Sequence, residues 1–128
     1  GEQDDVRSAL AFLSGHGYEQ LVLAGYSFGS WVNAHVVSAG VDVRDHIMVS
    51  PPTAFLSFDQ VGKLPNTGLI ITGDHDGFSP VSMVHLLLSR LEITTRVDVI
   101  SNADHFYMGA MDKLADVLSD YLSAESLV

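Results

Sequence analysis

A serine, an aspartate and a histidine occur in that order in this chain, each just beyond an apolar run. Their types and spacing could do nucleophilic chemistry. The serine is Ser27, in Gly25-Tyr26-Ser27-Phe28-Gly29, preceded by Leu21-Val22-Leu23-Ala24 and followed by a helical pattern from Ser30 to Val37. G-x-S-x-G at a strand-to-helix turn is a nucleophile-elbow pattern. Such a turn strains the serine backbone and points its hydroxyl outward. Both flanking glycines are expected to be needed, because side chains there would collide across the turn. The competing reading is a glycine-rich turn whose serine merely caps a helix.

Serine becomes a nucleophile when a base takes its proton, usually a histidine oriented by a carboxylate. In open parallel sheets such groups lie beyond the carboxyl ends of the strands. Gly73-Asp74-His75-Asp76 follows the apolar run Gly68–Thr72, and Asp104-His105-Phe106 follows Thr95–Ile100. Ser27, Asp76 and His105 would then leave the same sheet edge, with Asp74 competing as the acid. A metal site at Asp74-His75-Asp76 is the weaker alternative, since successive residues rarely converge on one ion and no fourth ligand is evident. His16, His35, His46 and His85 read as turn, strand or helix residues, and Trp31 and Tyr121 as packing residues.

The elements that must position these groups alternate between helix and strand, which predicts an α/β fold with a parallel sheet flanked by helices. A helix is expected from Gln3 to Ser14, burying Val6, Ala9, Leu10 and Leu13 at helical spacing. Strand Gln20–Ala24, the elbow and a helix to Ala39 follow, ended by Gly40. The next strand is His46–Val49, closed by Ser50-Pro51-Pro52, with a weakly signalled helix over Thr53–Val61. After strand Gly68–Thr72, Ser79 could cap a helix with Pro80 at its first position; Val81, Val84, Leu87, Leu88 and Leu91 form its apolar face. Strand Thr95–Ile100 leads to a final helix, Gly109–Ala124, burying Leu114, Val117, Leu118, Tyr121 and Leu122. Residues 125–128 are expected to fray.

These motifs resemble the α/β-hydrolase superfamily, in particular small lidless bacterial members of the dienelactone-hydrolase and acyl-peptidase types. The matching segments are Gly25–Gly29, Gly73–Asp76 and Asp104–Phe106. The resemblance maps the acid to Asp76, three residues after a strand-ending glycine, and the base to His105. It assigns half of an oxyanion hole to the Phe28 N–H. It implies a serine hydrolase of the carboxylesterase kind, cleaving an ester or related acyl bond through an acyl-enzyme, with no cofactor or metal. Tyr26, Pro52, Phe78 and Phe106, on loops at the active edge, are candidates for an apolar acyl pocket, with simple packing as the competing reading. Only 17 residues, Pro51–Thr67, separate two strands between which cap domains are commonly inserted in this superfamily, so an open site is expected. A non-hydrolytic acyl-transfer enzyme and a silent binding or interaction module are the alternative functions on the same fold.

The resemblance also implies a deficit. A whole fold of this kind has about four more strands before the elbow strand, one of whose loops carries the second oxyanion donor. Residues 1–128 are thus expected to be the C-terminal part of a single domain, lacking its N-terminal strands. The missing half, or a second chain, would complete the sheet, and homo-oligomerisation is a further possibility. The chain carries a net charge of −10 and is 47% hydrophobic. Such acidity repels phosphate backbones, so nucleic acid is not an expected partner. No apolar run approaches the roughly 20 residues of a membrane span. The absence of cysteine removes disulfides and thiol chemistry and fits a cytoplasmic protein. A small acyl substrate is the expected partner.

Overall fold

The structure is a computed structural model and describes residues 1–125 and 127. Its elements run α1 (Glu2–Gly15), β1 (Val22–Tyr26), α2 (Phe28–Ser38), β2 (Asp45–Val49), β3 (Thr67–Gly73), α3 (Val81–Leu91), β4 (Arg96–Ile100) and α4 (Met111–Ala124). The four strands form one parallel sheet in the order β1-β2-β3-β4. All of β2 is buried, as a continuous apolar run in a sheet covered on both faces should be.

Strand alternation divides the core in two. Met48 and Ile70 point to the face covered by α1, α2 and α3, where they meet Leu10, Val36, Val37, Val84, Leu88 and Leu91. Ile47, Val49, Leu69 and Ile71 point to the other face, beneath α4 and Tyr121. On α4 only Tyr121 is fully buried, while Leu114, Val117, Leu118 and Leu122 are half-buried. Strand β1 is half-exposed, with its free edge at one side of the sheet. Within α1, Leu10 is buried and Val6 half-buried, but Ala9 and Leu13 are exposed, so the expected apolar face is only partly covered. Leu127 packs against the α4 cluster rather than fraying; Ser126 and Val128 lie outside the described residues.

Three local expectations are corrected. Strand β1 runs two residues further than the apolar pattern, taking in Gly25 and Tyr26 and ending at the serine. Residues 53–61 form turns, not a helix. Phe58, Val61 and Leu64 plug the core there, and the guanidinium of Arg90 donates to the Phe58 and Val61 carbonyls that a helix would have used itself. Pro80, not Ser79, is the N-cap of α3; the Ser79 hydroxyl caps nothing, while its carbonyl accepts from Thr72 Oγ1 at 2.6 Å.

Candidate active site

The register of the sheet brings the elbow to its place. Tyr26 pairs with Val49, and the Ser27 N–H extends the ladder by donating to the Val49 carbonyl at 2.9 Å. Ser27 then turns at φ 52°, ψ −119°, and α2 starts at Phe28. A non-glycine residue held at positive φ costs about 1 kcal/mol or more, and such strain collects at functional turns.

The two flanking glycines differ. A Cβ on Gly25 would lie 2.6 Å from Asn33 Nδ2 and 2.8 Å from the backbone of Gly29 and Ser30, so strand and helix can cross here only without a side chain. A Cβ on Gly29 would meet nothing within 4 Å. The expectation that both positions are sterically closed is therefore corrected for Gly29.

Ser27 Oγ makes no capping bond to α2. It lies 2.7 Å from His105 Nε2. The other ring nitrogen, Nδ1, is 3.0 Å from both carboxylate oxygens of Asp76. A carboxylate only accepts, so Nδ1 carries the hydrogen and Nε2 is left to accept from the serine hydroxyl. The Asp76 side chain has no exposed surface and that of His105 only 6%. Asp76 Oδ1 also accepts from the Phe78 and Ser79 amides, both at 2.9 Å, so the loop after β3 fixes the carboxylate independently of the histidine.

Asp74 has a different role. Its Oδ1 accepts from the Asn102 amide at 2.8 Å, stapling the β3 loop to the β4 loop. Where those loops cross, a Cβ on Gly73 would lie 2.1 Å from the Ala103 carbonyl oxygen. His75 is exposed and its Nε2 is 3.8 Å from Asp74. Asp74, His75 and Asp76 thus point to different partners, and among the described residues no group of three or more His, Cys, Asp or Glu is placed to hold a metal ion.

The His105 loop is built by Asp104, whose Oδ1 accepts from the Phe106 and Met108 amides at 3.0 and 3.1 Å. The Tyr26 hydroxyl donates to the His105 carbonyl at 2.6 Å, linking the elbow to this loop across 79 residues of sequence. Burial, then the charges of Asp76 and Asp104, raise the Tyr26 phenol above its ordinary pKa, which keeps it a neutral donor. The Phe28 N–H, first of α2, has no hydrogen-bond partner among the described residues.

Of the other candidates, Phe78 and Phe106 flank the His105 ring, with centroids at 4.5 and 5.4 Å. Tyr26 and Phe106 also border a cavity of about 370 Å³ with Val49, Tyr107, Met111 and Leu118. Pro52 is buried, and its carbonyl accepts from the Phe55 and Leu56 amides, holding the turn that carries Phe55. Sequence reasoning missed Ser50 and Tyr107, both at positive φ, whose hydroxyls meet at 2.6 Å in the buried layer behind Tyr26. Burial pushes the Tyr107 phenol up to about 12. It also missed Phe55, whose ring lies tilted against Phe78 with centroids 4.5 Å apart. Ser50-Pro51-Pro52 showed only that a strand ended there.

No protein-family model matches the chain. A curated relative, an uncharacterized protein of Rickettsia prowazekii, is 26% identical over 132 residues, covering 95% of this chain and 56% of the relative. A protein of unknown function from Agrobacterium tumefaciens, provisionally described as an α/β hydrolase, superimposes with a TM-score of 0.87 at 28% identity, over 98% of this chain and 60% of that one. An α/β serine hydrolase without a lid from Xanthomonas campestris superimposes with a TM-score of 0.84 at 26% identity, over 95% of this chain and 56% of that one. The chain therefore spans somewhat over half the length of these proteins. No helix among the described residues is long and apolar enough to cross a membrane.

Proposed function

We propose that this chain, which has the α/β-hydrolase fold and corresponds to its C-terminal portion, carries the triad of a serine hydrolase acting on an ester or related acyl bond. One observation carries the reading. A strained serine at a strand end, a histidine and a buried aspartate form a continuous hydrogen-bonded line of 2.7 and 3.0 Å. Capping or packing alone gives no reason for that line, and the Xanthomonas neighbour described as a serine hydrolase supports the same chemistry.

In this mechanism Ser27 Oγ attacks the acyl carbon while His105 Nε2 takes its proton. The carbonyl electrons move onto oxygen, and the Phe28 N–H donates to that oxyanion. Collapse of the tetrahedral intermediate breaks the bond to the leaving group, which takes the proton from His105 and departs. Water then loses a proton to His105, attacks the acyl-serine, and releases the acid as the proton returns to Ser27. Throughout, Asp76 holds the imidazole tautomer and stabilises the imidazolium. The second oxyanion donor would come from outside these 128 residues.

The test is fluorophosphonate labelling of the full-length protein followed by peptide mass analysis. Label on Ser27, absent in Ser27→Ala, is expected; an unlabelled Ser27 in folded protein refutes the reading. Product analysis with added alcohol or thiol separates hydrolysis from acyl transfer to another acceptor.

A further inference from the structure

The proton that leaves His105 Nε2 must reach the leaving-group oxygen, so the leaving group sits beside the His105 ring while the acyl group stays on Ser27. The side chains around that ring therefore govern leaving-group preference. Phe78 tilts against it at 4.5 Å and Phe106 meets it edge-on at 5.4 Å. Phe55 continues the surface, its ring tilted against Phe78 with centroids 4.5 Å apart. Phe55 and Phe106 are 67% and 62% exposed and belong to neither core cluster. They come from different loops, after β2 and after β4, yet join one aromatic wall ending at the general base. Aromatic rings gathered at the general base form a surface suited to an apolar group.

The loops around the base carry mostly negative charge; Lys113 Nζ, donating to the Ser101 carbonyl at 3.2 Å, is the cation that reaches the β4 loop. Asp74, Asp76 and Asp104 lie on the two loops, and none of the triad's hydrogen bonds or ion pairs involves Lys or Arg. An anionic leaving group would face these three carboxylates, with no Lys or Arg hydrogen-bonded to the triad among the described residues.

We propose that the site selects substrates whose leaving alcohol is bulky, apolar and uncharged, with Phe55, Phe78 and Phe106 as the wall that receives it. The proposal rests on the hydrolase reading above. It is tested on the full-length protein with three acetates of similarly basic primary alcohols: ethyl acetate, benzyl acetate and the acetate of 4-(hydroxymethyl)benzoate. The shared acyl group and matched basicity leave wall contacts as the main variable. One well-placed aromatic contact plus ring burial predicts kcat/KM for benzyl acetate about tenfold or more above that for ethyl acetate. The carboxylated ester should fall back towards the ethyl value. Phe55→Ala and Phe106→Ala, both at exposed positions, should each lower the benzyl-to-ethyl ratio severalfold. Equal kcat/KM for the benzyl and ethyl esters overturns the proposal, as does a ratio unmoved by either variant. Turnover of none of the three, with Ser27 unlabelled by a fluorophosphonate, overturns the hydrolase reading itself and this preference with it.

Discussion

Acidification from pH 7 to pH 4 should cost this protein about 3 kcal/mol of stability through one side chain, His46. Its imidazole is fully buried. Nδ1 lies 2.8 Å from Thr67 Oγ1, and Nε2 has no partner. Protonation would strand a charge there. Burial lowers the pKa to about 4, outweighing the upward pull of the adjacent Asp45 carboxylate. An unfolded chain titrates this group near 6.5. Between those values the unfolded state binds the extra proton, so stability is intact above about pH 6.5 and declines as pH falls towards 4. About 2.5 units at roughly 1.4 kcal/mol each give about 3 kcal/mol, a large share of a typical 5–15 kcal/mol total. Urea denaturation followed by circular dichroism at pH 7, 6, 5 and 4 would measure it, on the wild type and on His46→Leu or His46→Gln. Carboxylates remote from His46 cancel in the comparison. The wild type should lose about 3 kcal/mol more than the variant across the range. Parallel stability curves for wild type and variant would refute the reasoning.

Three further outcomes follow from the site. Asp76→Asn should lower kcat about 10³- to 10⁴-fold by disturbing the histidine tautomer, whereas Asp74→Asn, which loosens a loop staple, should cost less than about tenfold in steady-state esterase assays. Gly25→Ala should abolish soluble folded protein or its activity, while Gly29→Ala should leave the melting temperature within a few degrees of wild type, because only the first position is sterically closed. Tyr26→Phe should reduce kcat by about fivefold, the worth of one hydrogen bond near 1 kcal/mol, with KM for ethyl acetate little changed; a change confined to KM would show that Tyr26 acts on substrate rather than on the His105 loop.

The strands and the triad candidates were legible because each depends on neighbouring residues. G-x-S-x-G after an apolar run located Ser27, and the loops after the next strands offered His105 and the pair Asp74 and Asp76. The choice within that pair depends on which carboxylate accepts the Phe78 and Ser79 amides and which turns to Asn102, and both have the same composition around them. Residues 53–61 misled for a related reason: their apolar residues plug the core, but Arg90 on a later helix satisfies their carbonyls. Ser50 and Tyr107, 57 residues apart, meet only because the sheet aligns the ends of their strands. The unequal roles of Gly25 and Gly29 were hidden because the pattern names both, while only Gly25 faces Asn33 across the turn.

The order in which the triad appears along the chain has a consequence for biosynthesis. A ribosome releases Ser27 first, Asp76 next and His105 last. The Asp76 carboxylate can be set by its own loop amides before the end of the chain exists. His105 cannot take its position until β4 has paired with β3 and the loop that Asp104 builds has closed against Tyr26. A nascent chain therefore displays a serine and an aspartate with no base between them. On the proposed reading, docking of the last strand would be the step that completes the Ser27–His105–Asp76 line.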